Sequence, residues 1–82
     1  MNTKLKPDDR KSVILAAAIH VANSNTLGEV NFKNVAEACR VTTTVRTVKH
    51  YYKIKDLRKA VAFDPRSSDM VKADAVAMGI KI

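Results

Sequence analysis

Apolar residues recur at helical spacing in several places along this chain. From Arg10 to about Asn23, Ile14, Ala17, Ala18 and Val21 fall at i, i+3, i+4 and i+7, and Leu15, Ile19 and Ala22 widen the stripe. Pro7 suits a first helical turn, and Asp8 and Asp9 complement the positive end of the helix dipole. The polar stretch Asn23 to Gly28 ends this helix. A second, shorter helix starts near Asn31, a good N-cap, with Phe32, Val35, Ala36 and Cys39 repeating the same spacing. Thr42, Thr43 and Thr44 interrupt it, because β-branched hydroxyl residues favour turns and caps. A third helix is expected over about Val45 to Lys53, with Val45, Val48 and Tyr52 on one face and Arg46, Lys49, His50 and Lys53 opposite. A fourth runs from about Asp56 to Phe63, burying Leu57, Ala60 and Val61, and Pro65 stops it. In the tail, Ser68 can cap a helix whose face holds Val71, Ala75 and Met78, and Gly79 can end it with a left-handed residue.

No segment alternates as a strand does. The pattern predicts an all-α fold of four to five short helices with a central helix-turn-helix. It divides into a basic arm over 1–6, a helix-turn-helix domain over 7–64, and a C-terminal helix over 65–82 that packs on the core or dimerises.

Eighty-two residues suffice for one domain with one modest core. A chain this short favours a binding module over an enzyme. Phe32, Tyr51, Tyr52 and Phe63 are the aromatics, so the core must be aliphatic and alanine-rich. The formal charge of +7 points to a polyanionic partner, and its distribution sharpens this. Arg40, Arg46, Lys49, Lys53, Lys55, Arg58 and Lys59 lie within one quarter of the chain, opposed only by Asp56. A single cysteine excludes an internal disulfide, and there is neither a signal-like apolar run nor a stretch of membrane-spanning length. A cytoplasmic protein without membrane association is expected.

The segment Asn31 to Arg40, Val41 to Thr44, and Val45 to Lys53 reads as helix, turn and helix. Ala36 is small enough for a close crossing, and Val41 can plug the space between the helices. The major groove admits such a second helix, and Arg or Lys on its outer face suits guanine O6 and N7.

The stretch from Arg10 to about Val61 resembles the DNA-binding domain of TetR-type regulators, itself homeodomain-like. Ile14, Leu15, Ala17 and Ala18 match the family's first-helix pattern. Asn31, Val35, Ala36, Cys39, Val41 and Thr42 fall at the family's helix-turn positions, and Tyr52 and Lys55 at its closing aromatic and lysine. Two departures stand out. Arg40 occupies a position where the family prefers glycine, and the distance from Val41 to Tyr52 exceeds the usual one by one or two residues. The resemblance implies that Thr43 or Thr44 bonds a phosphate and that Thr47 and Tyr51 lie near the DNA backbone. It also implies that Lys55 meets a phosphate at the start of the fourth helix. Arg46 and Lys49 are the candidates for base edges, with His50 and Lys53 beside them. Only about twenty residues follow the fourth helix, too few for the family's ligand-binding domain, so no small-molecule effector is expected.

Other chemistry is weakly signalled. His20 and His50 are far apart and lack companion ligands, so no metal site and no cofactor are expected. Cys39 lies on an apolar stripe with nothing nearby to activate it. Asp8 and Asp9 read as dipole partners, and Tyr51 and Tyr52 as packing residues more than as stacking platforms. The expected function is sequence-specific double-stranded DNA binding in transcriptional regulation, of a minimal kind such as a phage or plasmid encodes. The alternatives are an accessory factor in recombination, replication or genome packaging, and a protein-binding inhibitor module. A homodimer through Ser68 to Ile82 and a tail folded onto its own core are equal alternatives.

Overall fold

A computed structural model describes residues 7–39 and 43–80, with Pro7 and Asp8 described by their backbone alone. Among these residues there are five α-helices and no strand: α1 Pro7–Ser24, α2 Phe32–Cys39, α3 Val45–Tyr51, α4 Ile54–Phe63 and α5 Asp69–Ala77. The all-α expectation holds. The basic arm over 1–6, Arg40, Val41 and Thr42 in the turn, and the final two residues of the tail lie outside the described residues.

The core is aliphatic and rich in small side chains. Ile14, Ala18, Ile19, Val21 and Ala22 of α1 are buried against Val35 and Ala36 of α2 and Leu57, Val61 and Ala62 of α4. Alanine at so many contacts lets the helix axes approach closely, and packing replaces side-chain bulk as the source of stability. The stretch read as a polar linker after α1 carries two core residues. Leu27, in the 3₁₀ turn Leu27–Glu29, and Val30 just after it are fully buried. Within a polar run a lone leucine carries no periodic signal, so only the fold reveals its role.

The caps explain where helices begin. Asn31 Oδ1 accepts from the backbone N–H of Asn34 at 2.8 Å, opening α2. Ser68 Oγ accepts from Val71 N–H at 3.3 Å, opening α5. The other boundaries shift. The third helix stops at Tyr51 rather than Lys53, because Tyr52 and Lys53 take extended backbone and Lys53 becomes the residue before α4. The fourth helix starts two residues earlier than the apolar pattern suggests, at Ile54. In α4, Ala60 is half-buried and Ala62 takes the fully buried place.

The tail folds onto its own core through one face. Val71 and Ala75 are buried, whereas Met78, expected beside them, is exposed. Its connection to α4 is fastened by hydrogen bonds. Asn23, near the end of α1, donates to the Arg66 carbonyl at 3.1 Å and accepts from Ser68 N–H at 2.9 Å. Ser67 is buried and its hydroxyl donates to the Val61 carbonyl. Asp74 on α5 accepts from Leu27 N–H at 3.4 Å, tying the tail to the 3₁₀ turn. Within the connection, Asp64 accepts from the Arg66 side chain at 3.0 Å and from its backbone N–H at 2.8 Å. Those bonds hold the Asp64 carboxyl below the ordinary aspartate range.

Two outcomes follow from this packing. Val48 on α3 is fully buried, so Val48→Asp places an unpaired carboxylate in the core and unfolds the domain. A circular-dichroism melt near the parent's temperature would contradict the burial of that face. Because the folded Asp64 titrates below its unfolded value, its contribution is complete above about pH 4 and is lost as pH falls through the lowered folded value. Asp64→Asn is therefore less stable than the parent at neutral pH, and the gap closes in acid. A gap unchanged between pH 7 and pH 2.5 in urea titrations would disprove the pairing.

Candidate nucleic-acid interface

Helix α3 has only seven residues, too few to be stable in water alone. It is held by its cap and one buried side chain. Thr44 Oγ1 accepts from Thr47 N–H at 3.3 Å and lies 3.1 Å from Thr47 Oγ1. Val48 enters the core, with Tyr51 and Tyr52 half-buried on either side of it. Helix α3 packs chiefly on α2.

With Val48 pointing in, the helical period turns Arg46, Lys49 and His50 outward, and Lys53 lies past the end of the helix in the extended residues before α4. All four are exposed, and α3 carries no acidic residue. Lys55, exposed in the first turn of α4, extends the same cationic run along the chain. Lys49 Nζ lies 5.5 Å from the Phe32 ring centroid, a cation–π contact that leans the side chain toward α2. The His50 ring meets Tyr51 edge-on, with centroids 5.0 Å apart. The geometry thus sets Arg46, Lys49 and His50 on the outward side of α3, with Lys53 exposed just past its end.

The remaining site residues of the sequence reading are placed differently. Thr43 is buried, so its hydroxyl is withdrawn from any surface ligand. Thr44 and Thr47 are joined in the cap, which commits part of their hydrogen-bonding capacity to the helix start. Tyr51 is half-buried against the core rather than freely presented. Val45, assigned to the inner face, is 37% exposed and flanks the cationic stripe. A period of 3.6 explains this, since Val45 stands well off the line through Val48 and the core.

Arg58 belongs to the basic cluster by sequence but does structural work. Its Nε donates to the Val30 carbonyl at 3.0 Å and Nη2 to the Gly28 carbonyl at 3.5 Å. It fastens α4 to the segment around the 3₁₀ turn, a role no local motif announces. Lys11 Nζ sits 5.2 Å from the Tyr52 ring centroid, bringing a further cation from α1 beside the end of α3.

Nucleophile and metal chemistry find little support in these positions. Burial pushes the Cys39 thiol up from its ordinary value, and a hydrogen bond with Thr43 offsets this only in part. Burial likewise raises the Tyr52 hydroxyl. Among the described residues, no three His, Cys, Asp or Glu side chains gather as metal ligands, and no helix is long and apolar enough to cross a membrane.

Comparison of the chain with protein-family models, curated proteins and solved structures finds no match.

The α3 cap can be tested directly. Thr44→Ala removes the acceptor for Thr47 N–H and should cost about 1 kcal/mol, a fall of about 4–8 °C in Tm for a domain this size. Thr44→Ser should restore most of it. Equal melting of all three proteins by calorimetry would show that α3 does not depend on this cap.

Proposed function

We propose that this protein binds double-stranded DNA in a sequence-specific manner and acts as a small transcriptional regulator, with α2 and α3 as its helix-turn-helix. One observation carries the reading. A short helix anchored by a buried valine presents Arg46, Lys49 and His50 outward, with Lys53 exposed just past its end and no acidic residue on the helix. Such a stripe matches the dimensions of the major groove and the donor requirements of base edges and phosphates. The resemblance to TetR-type DNA-binding domains agrees with it.

In this reading Arg46 and Lys49 reach base edges, Lys53 and Lys55 meet phosphates, and Thr44 and Thr47 border the backbone. Thr43 takes no part. Two copies bind repeated half-sites, because one short recognition helix makes too few base contacts for genomic specificity. The outward face of α5 supports such pairing. Met70 is 77% exposed and Val76 67% exposed, with Ala73 and Ala77 on the same side of the helix.

Affinity for duplex DNA should fall roughly 500-fold between about 50 and 200 mM salt if about five phosphates are contacted per protomer. Fluorescence anisotropy over that range, flat with salt, would remove DNA as the partner. Arg46→Ala or Lys49→Ala should cost about 1–3 kcal/mol and relax preference at one or two base positions, whereas Lys55→Ala weakens all sequences alike. Selection from random duplexes is the measurement. An unchanged motif in both α3 variants would place recognition elsewhere.

A further inference from the structure

Helix α5 does not end by fraying. Gly79 has φ +80°, a left-handed conformation that a side chain strains, and it reverses the chain. Its N–H donates to the Val76 carbonyl at 3.0 Å, and Ile80 N–H donates to the Ala75 carbonyl at 2.9 Å. This Schellman-type closure returns Ile80 to the core, where it is half-buried. Between the returned segment and α4 lies a cleft of about 510 Å³, within the range of small-molecule sites.

The two walls differ chemically. Met78 and Ile80 with the Gly79 backbone form an apolar wall, and Lys55, Arg58 and Lys59 of α4 form a cationic one. Among the described residues, Asp56 is the one acid lining the cleft. Arg58 already gives two N–H groups to the Val30 and Gly28 carbonyls. Lys59 Nζ lies 5.8 Å from the Phe63 ring centroid, a contact that leaves its charge uncompensated. Lys55 is exposed and forms no ion pair with a described residue. The lining cations outnumber the acid, so the cleft favours an anionic head. The apolar wall asks for a hydrocarbon body, and methionine adapts to varied shapes.

We propose that this cleft binds an amphiphilic carboxylate, its head between Lys55 and Lys59 and its hydrocarbon body against Met78 and Ile80. No local motif announces a small-ligand site, because the two walls come from segments about twenty residues apart. The site shares Lys55 with the DNA-binding reading, but it does not rest on that reading and its test uses no DNA.

The experiment is a titration of the full ¹⁵N-labelled chain, followed by two-dimensional NMR, with octanoate, octanol and inorganic phosphate as separate probes. Octanoate is expected to shift the amide signals of Lys55, Lys59, Gly79 and Ile80 saturably, while the other two cause no saturable change there. Lys55→Gln combined with Lys59→Gln should weaken octanoate at least about tenfold, with the far-UV circular dichroism unchanged. Met78→Ser should weaken it through the other wall. Equal binding of octanol would overturn the role of the cations, and equal binding of phosphate the role of the apolar wall. Absence of saturable shifts with octanoate would overturn the site itself.

Discussion

The burial of Val48 is the contact on which the candidate interface depends. Helix α3 has too few residues to persist through its own hydrogen bonds. Its position comes from one side chain inserted in a core of valine, leucine and alanine, and from the hydroxyl that caps its first turn. Once Val48 points inward, the helical period alone decides that Arg46, Lys49 and His50 point outward. The charge of the surface is thus fixed in space by a hydrophobic contact on the other side of the same helix.

The frame around α3 is fastened mainly by polar bonds at the joints. Arg58 ties α4 to the carbonyls of Val30 and Gly28, and Asn23 holds the connection between α4 and α5 from both sides. Small domains bury a limited fraction of their surface, so bonds that restrict the hinges between helices matter more here than in a larger protein.

Much of this was legible in the chain. The apolar periodicity located α1, α2 and α5, and Asn31, Thr44, Ser68 and Gly79 marked boundaries of α2, α3 and α5 through caps that depend on local chemistry. Val45 was misassigned because three positions at i, i+3 and i+7 define a face only loosely when the helix is seven residues long. Leu27 and Val30 escaped notice because single apolar residues in a turn have no period. Thr43 resembled a surface hydroxyl, and only its burial in the fold shows it to be inside. The role of Arg58 rests on carbonyls some thirty positions earlier, a relation that no window of sequence contains. Within the candidate site, the outward direction of Arg46, Lys49 and His50 was readable. The commitment of Thr44 and Thr47 to a cap, the burial of Thr43 and the exposure of Val45 were not.

The division of labour within α3 bears on how this protein can diverge. Val48 and, in part, Tyr51 answer to the core, while Val45, Arg46, Lys49 and His50 are exposed. Substitutions at those four positions alter the surface with little thermodynamic consequence for folding, since exposed sites away from caps and cores tolerate change. A lineage can therefore rewrite the outward face of α3 one residue at a time without passing through unfolded intermediates. The scaffold stays fixed while whatever it recognises is free to change.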